Sequence, residues 1–140
     1  MTRKQSDKAI AYADRLVSAL GRRSRPEGMP AAEWEKKKTA NIGRGHFIAG
    51  ILRAEKGQYF KANEDLRAAL PAIKDSQAMM APALFYLGLA NYQLGKQMLN
   101  KAQVREAAKF SEQAATYSGP FADQARHNAL VMKSDADRMQ

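Results

Sequence analysis

The chain has 140 residues, enough for one domain with a sizeable core, and its 45% hydrophobic and 26% charged residues are ordinary for a folded protein. It has no cysteine, which excludes disulfides, thiolate metal sites and a cysteine nucleophile. No apolar run approaches the roughly 20 residues of a membrane-spanning helix, and the residues after Met1 lack the apolar core of a signal peptide. The net charge of +9 is concentrated in residues 1–40, which hold ten lysines and arginines against five acidic residues.

Abundant alanine, scarce valine, isoleucine and threonine, and apolar residues at helical spacing predict an all-α fold of about six helices. The first helix is predicted over residues 6–20 and ends at Gly21. Residues 21–30 hold two prolines and two glycines and are predicted to form a basic loop. Pro30 opens the second helix, which runs to about Lys56. Gly43 and Gly45 weaken that helix by about 1 kcal/mol each relative to alanine, so close packing is expected to require them.

Glycine and proline also mark the expected limits of the remaining helices. Pro71 is expected to kink or end the last turn of the third helix. Ser76 is a plausible cap of the fourth helix, which is predicted to stop at Gly95. Pro120 opens the sixth helix, which carries Phe121, Ala125, Ala129 and Met132 on one face. The predicted spans are residues 58–73, 76–94, 97 or 101 to 117, and 120–138.

An internal repeat is the strongest signal in the sequence. Phe47 precedes Gly50 by three residues, and Gly57 follows Gly50 by seven; the same spacing returns 38 residues later at Phe85, Gly88 and Gly95. A glycine within a helix lets a second helix approach closely, and a glycine at a helix end adopts a turn that other residues resist. We therefore expect two antiparallel helical hairpins, residues 30–73 and 76–117, that stack on each other.

The repeat resembles the tetratricopeptide repeat family, whose motif of about 34 residues reads W-x2-L-G-x2-Y, then G, A-x3-F-x2-A and P. The resemblance covers residues 43 to about 120 and implies a right-handed superhelix of antiparallel hairpins, an α-solenoid. The residues that match the motif or are expected to pack the hairpins are Gly50, Gly57, Ala62, Ala69, Gly88, Gly95, Ala107 and Ala114. His46 and Arg53 stand where the family has tryptophan and tyrosine, and Leu84 and Asn91 do so in the second repeat.

The two repeats differ in the spacing around their turns. Five residues separate Gly57 from Ala62, whereas twelve separate Gly95 from Ala107. The seven extra residues equal about two helical turns, so either the helices are longer or a longer loop lies at residues 96–100. Residues 6–20 resemble the second helix of a hairpin whose first helix would precede Met1. This resemblance predicts that the chain is a segment of a longer repeat protein. Residues 120–138 would then be the first helix of a further repeat or a terminal cap.

In this family the first helix of each hairpin lines a concave groove that binds a polypeptide. Carrying the groove positions over predicts a partner-binding surface made of Arg44, Phe47, Ile51, Ala54, Glu55, Phe85, Leu89, Tyr92, Gln93, Arg126, Leu130 and Lys133. Its centre is aromatic and aliphatic, which favours an apolar segment of a partner over a charged C-terminal tail. The alternative is that Phe47, Phe85 and Tyr92 pack against the first helix or a neighbouring repeat.

No arrangement of residues predicts catalysis. His46 and His127 lie 81 residues apart, and we expect His46 to be a partly buried core residue. Gly43-Arg44-Gly45 lacks the continuation of a phosphate-binding loop. The sequence therefore predicts a non-catalytic protein–protein interaction scaffold without cofactor or metal. Its compartment is undetermined: cytoplasmic or, if the chain was cut from an exported parent, periplasmic.

Two alternative functions remain open from the sequence. The chain is either a structural or self-associating unit of a longer array, and thus a homo-oligomer, or it binds nucleic acid or another acidic surface. The second alternative depends on the basic residues Arg22, Arg23, Arg25, Lys36, Lys37 and Lys38. Aromatic side chains do not interleave with these cations, which disfavours stacking on nucleic-acid bases.

Overall fold

The computed structural model describes residues 2–140, and within them it contains six α-helices and no strand. The predicted all-α class is therefore confirmed for this part of the chain. None of the helices is both long enough and apolar enough to cross a membrane within the residues described. The helices are α1 (Arg3–Arg22), α2 (Ala31–Glu55), α3 (Tyr59–Ile73), α4 (Gln77–Gln97), α5 (Lys101–Ala115) and α6 (Ala122–Arg138).

Side-chain caps fix the beginnings of three helices. The Thr2 hydroxyl accepts from the Gln5 amide at 3.1 Å, and the Gln5 side chain accepts from the Thr2 amide at 2.8 Å, which is a capping box. This box starts α1 three residues before the predicted Ser6. Ser76 caps α4, as predicted, and Asn100 caps α5 through its side-chain oxygen. At the other end of α1 the prediction was wrong, because Gly21 lies inside the helix.

The two hairpin turns have equal length but different chemistry. Residues 56–58 join α2 to α3, and Gly57 adopts a φ of +77°, as expected for a glycine at a turn. Residues 98–100 join α4 to α5, and there Leu99 adopts the positive φ, at 51°. The prediction that Gly95 ends its helix was wrong, because α4 continues to Gln97.

Longer helices account for the seven extra residues of the second hairpin. The helix α4 ends two residues after Gly95, whereas α2 ends two residues before Gly57. Ala107 is the seventh residue of α5, whereas Ala62 is the fourth residue of α3. The second hairpin therefore gains four residues on its first helix and three on its second, about one turn on each. Of the two predicted explanations, longer helices are confirmed and a longer loop is wrong.

Glycines mark the close approaches between paired helices. A β-carbon at Gly43 would lie 2.2 Å from that of Ala72, and one at Gly50 would lie 2.6 Å from Leu66 Cγ. The partner thus recedes along α3 as the chain advances along α2, so the pair is antiparallel. The helices α4 and α5 are also antiparallel, because Gly88 faces Ser111 whereas Gly95, further along α4, faces the earlier residue Val104 of α5. At each of these four glycines an added β-carbon would come closer to the partner helix than ordinary contact allows.

Contacts between helices follow a regular order. Each helix contacts the next one along the chain, and α2 also contacts α4, as α4 contacts α6. Within residues 2–140, the backbones of α1 and α3 do not approach each other, and α3 and α5 meet only through side chains such as the ion pair of Arg67 with Glu106. The helices α4 and α6 run in the same direction, since Phe85 contacts Phe121 and, further along both helices, Tyr92 donates a hydrogen bond to Asp135.

The apolar core consists of three clusters along the chain. The first joins α2, α3 and α4 around Leu66, Ile73 and Leu87. The second lies where α4, α5 and α6 meet, around Leu84 and Ala125. A third joins α5 to α6, and its members are Ala107, Ala108 and Met132. Small residues dominate the contacts, which is what allows the helices to pack closely.

Candidate functional site

The helices α2, α4 and α6 lie side by side and form one surface, which we call the leading-helix face. Its open residues lie on α2 and α4. On α2 they include the exposed Arg44 and Glu55 and the half-buried Ile51, and on α4 the half-buried Tyr86 and Gln93. Tyr86 and Glu55 lie close enough for the carboxylate to act on the phenol: burial raises the pKa of Tyr86, and the negative charge of Glu55 raises it further.

The apolar residues of the predicted groove are half-buried, because they also hold the helices together. Phe47 and Ile51 of α2 pack against the first core cluster, beside Tyr86. Phe85 packs against the second cluster, with its ring 5.0 Å from that of Phe121 and 5.2 Å from that of Tyr86. Leu89 and Tyr92 pack against the third cluster. Ala54 is buried in α2. The open surface is therefore narrower than the predicted groove.

The structure does not bring the three predicted residues of α6 to the leading-helix face. Lys133 forms an ion pair with Glu112 of α5, so it lies on the α5 side of the helix. Arg126 pairs with Asp123 of its own helix, and Leu130 is exposed. The residue of α6 that reaches α4 is Asp135. Ala129, which the sequence placed at the position of the repeat glycine, is buried in α6.

A hydrogen-bonded group between α4 and α6 was not predicted from the sequence. Tyr92 donates to Asp135, Arg138 donates to the other carboxylate oxygen at 2.7 Å, and the Lys96 ammonium lies 4.7 Å from the centre of the Tyr92 ring. Burial raises the pKa of Tyr92, and the bond to Asp135 raises it further. The hydrogen bond from Tyr92, followed by that from Arg138, lowers the pKa of Asp135.

An ionic group centred on the buried Arg53 and Asp65 joins α1, α2 and α3. Arg53 donates to Asp65 at 2.5 Å and to Asp14 at 2.5 and 3.1 Å, and His46 Nδ1 lies 2.9 Å from the other oxygen of Asp65. Burial by itself would lower the pKa of Arg53, but the hydrogen bonds to Asp14 and Asp65 raise it above its ordinary value. The partly buried state predicted for His46 is confirmed. Every member has a partner, so this group serves as a link between helices.

A neutral counterpart lies one repeat further along. Asn91, at the motif position that Arg53 occupies in the first repeat, is fully buried and donates to Asn63 at 2.9 Å and to the Leu87 carbonyl at 2.8 Å. Its oxygen accepts from Arg67 of α3 at 3.2 Å and from Gln103 of α5 at 3.1 Å. The same motif position therefore connects three helices in both repeats, once with a cation and once with an amide.

The basic residues of the N-terminal third are spread over α1, the loop and α2. Arg22 is the last residue of α1, Arg23 and Arg25 lie in the exposed loop, and Lys37 pairs with Glu33 at 3.4 Å. Lys36 is exposed and Lys38 is half-buried. In the described residues, no three histidine or acidic side chains converge as a metal site would require.

Comparison of the chain with protein-family models finds no match, and neither does comparison with curated proteins or with solved structures. Inferences about function therefore depend on the residues and contacts of this chain alone.

Proposed function

We propose that the chain is a tetratricopeptide-like helical solenoid and a non-catalytic scaffold that binds a partner polypeptide on the leading-helix face. The observation that carries the proposal is the order in which the helix backbones approach: those of α2, α4 and α6 approach in series, whereas within residues 2–140 those of α1 and α3, and of α3 and α5, do not. In stacked hairpins of this kind the first helices form one continuous inner surface, and such surfaces bind extended partners. The packing of Gly43, Gly50 and Gly88 supports the same arrangement.

The chemistry of the open residues favours a partner segment with an apolar side chain and a cation. Tyr86 and Ile51 offer a half-buried aromatic and aliphatic centre, and aromatic residues of this type often carry much of the binding energy at interfaces. Glu55 is exposed on the same face and its negative charge acts on Tyr86. Arg44 lies on this face of α2 about three turns from Glu55. A peptide lying along α2 would thus meet an anion at one end and a cation at the other.

Selection of peptides against the purified chain tests the proposal. Random peptides displayed on phage are selected for binding, and the binding site is then mapped on the chain by NMR from the shifts of backbone amides. We expect the largest shifts in α2 and α4, around Ile51, Tyr86 and Gln93. We also expect Tyr86→Ala to weaken binding about tenfold, which corresponds to ~1.4 kcal/mol.

Phe60→Ala is the matched control, because Phe60 is an exposed aromatic residue at the start of α3, away from the leading-helix face. It should leave the affinity unchanged. Peptides whose shifts map only to α1, α3 or α5, or peptides that bind the Tyr86→Ala variant as well as the original chain, would contradict the proposal.

A further inference from the structure

The two hairpin turns share a sequence pattern that the packing of the helices does not explain. Residues 56–61 read Lys-Gly-Gln-Tyr-Phe-Lys, and residues 96–101 read Lys-Gln-Met-Leu-Asn-Lys. Each segment places two large apolar residues between two lysines that are five positions apart, and neither segment holds an acidic residue. Turns are ordinarily rich in small and polar residues, so the apolar pairs need a separate reason.

The apolar residues of these segments are the most exposed large hydrophobic side chains within residues 2–140. Leu99 is 82% exposed, Met98 is 73% exposed and Phe60 is 67% exposed. The other large hydrophobic side chains that are exposed in the described chain lie within α1, α2 and α6, and each is less exposed than these three. A concentration of exposed apolar surface at one place is typical of an interaction site.

The two segments lie beside each other. A groove of about 360 Å³ separates the first turn from the end of α4, and its lining includes Tyr59 and Phe60 on one side and Leu94 and Gln97 on the other. We call residues 56–61 and 96–101 together the turn edge. Because both turns lie on this edge, one flat surface can contact the two apolar pairs at the same time.

Leu99 has a backbone conformation that is unfavourable for leucine. Its φ of 51° lies in the left-handed region, which a β-carbon disfavours. In the first turn Gly57 adopts this conformation, with a φ of +77°. The leucine side chain is also exposed, so little burial offsets the unfavourable backbone. Folding therefore gives no reason for leucine at this position, whereas a contact outside the chain does.

The lysines of the second turn are not neutralised by acidic neighbours. Lys96 and Lys101 form none of the ion pairs of the described chain. Asp135 lies across a groove from Lys96, but its two oxygens already accept hydrogen bonds from Tyr92 and Arg138. The second turn therefore presents apolar side chains with a positive rim.

The first turn adds less charge. Lys56 pairs with Asp7 of α1 and is largely covered, whereas Lys61 is exposed and lies 3.9 Å from the exposed Glu64. A surface pair of this length is screened by water and salt. The positive charge of the turn edge is thus carried mainly by Lys61 together with the two lysines of the second turn.

We propose that the turn edge binds the surface of a lipid bilayer that contains anionic headgroups. Phe60, Met98 and Leu99 insert among the lipids, and the lysines remain at the level of the headgroups. Burial of the apolar side chains and attraction of the lysines to anionic lipids both favour this contact. Sites for peptides and small molecules are usually concave, whereas a bilayer accepts apolar side chains that project from a turn.

Vesicle flotation with the purified chain tests the proposal. Vesicles of phosphatidylcholine and phosphatidylserine, mixed at about two to one, present an anionic surface, and vesicles of phosphatidylcholine alone are the comparison. We expect binding to the mixed vesicles that weakens as salt is added. Binding to phosphatidylcholine alone should be roughly a hundredfold weaker, because three lysines lose their attraction.

Leu99→Gly separates binding from folding. Glycine removes the side chain that inserts and also suits the positive φ, so urea denaturation should find this variant at least as stable as the original chain. Its affinity for the mixed vesicles should nevertheless fall about tenfold, because an apolar side chain no longer leaves water. Lys96→Gln should lower the affinity about fivefold, since one attractive charge is lost.

Leu130→Ala and Lys36→Gln are the matched controls. Leu130 is 65% exposed on α6, and Lys36 is exposed near the start of α2, whereas the turn edge follows the end of α2. Both variants should bind the mixed vesicles like the original chain. Tyr86→Ala should also do so, because it alters the leading-helix face, and the two proposals can therefore fail separately.

Four results would overturn the proposal. They are no binding to the mixed vesicles, equal binding to phosphatidylcholine alone, an unchanged affinity of Leu99→Gly, and an equal loss of affinity in the two control variants. Binding of a polyglutamate peptide by a chain that ignores the vesicles would assign the turn edge to an acidic protein partner instead.

Discussion

Replacing Gly43 with alanine tests how closely α2 and α3 approach. The new β-carbon would lie 2.2 Å from the β-carbon of Ala72, which has no rotatable bond with which to move away, so the backbones must separate. Overpacking of this kind costs about 1–3 kcal/mol, and here we expect the upper part of the range. The better helix propensity of alanine returns about 1 kcal/mol. The free energy of unfolding should therefore fall by roughly 1–2 kcal/mol.

Urea denaturation followed by circular dichroism, and by the fluorescence of the single buried tryptophan, Trp34, measures this change. Gly21→Ala is the matched control: Gly21 is also helical, but no atom lies within 4 Å of its added β-carbon. Near a helix end it should stabilise the chain by about 0.5 kcal/mol. Adding Ala72→Gly to Gly43→Ala should relieve the clash, which appears as favourable coupling in a double-mutant cycle. Additive effects, or a stabilised Gly43→Ala variant, would refute the close approach.

Three further predictions follow from the buried and shared polar groups. Arg53→Met should lower the free energy of unfolding in urea by about 3 kcal/mol, because Asp65 loses its buried cation; an unchanged stability would contradict the buried pair. The lowered pKa of Asp135 means that its stabilisation is present above its unfolded value of 3.8 and is lost as the pH falls through the folded value. Thermal melts in acid should therefore show a smaller loss for Tyr92→Phe than for the original chain. The raised pKa values of Tyr86 and Tyr92 predict that ultraviolet titration finds both ionising above the ordinary value of 10.0, so that their contribution to stability persists below that pH and is lost as the pH rises.

The helices were predictable from the sequence because each has a glycine, proline or polar cap near an end, and because α1, α3 and α5 also have a clear apolar period. The residues at which the helices begin and end were less predictable. The start of α1 was misjudged because the capping box of Thr2 and Gln5 precedes the first apolar residue of the periodic stripe. The end of α1 was misjudged because Gly21 resembles a helix stop, although the helix includes it and extends to Arg22.

Spacing alone could not distinguish the two roles of glycine, which are to turn the chain and to allow close packing within a helix. Gly57 and Gly95 occupy the same position in the repeat, yet Gly57 turns the chain with a φ of +77° and Gly95 packs within α4. What distinguishes them is the partner helix. Gly95 is needed because its added β-carbon would lie 2.8 Å from Val104 Cγ2 and 3.0 Å from the Val104 amide nitrogen. That contact exists only once α4 and α5 are each extended by about one turn.

The polar connections could not be predicted because their members are far apart in sequence and individually unremarkable in type. Asp14, Arg53 and Asp65 lie on three different helices, and only their packing brings them within hydrogen-bond distance. From the sequence, Arg53 was simply a departure from the tyrosine of the motif. Asn91 departs at the same position, and it too connects three helices. The shared feature is thus a polar group that reaches both neighbouring helices, whatever its residue type.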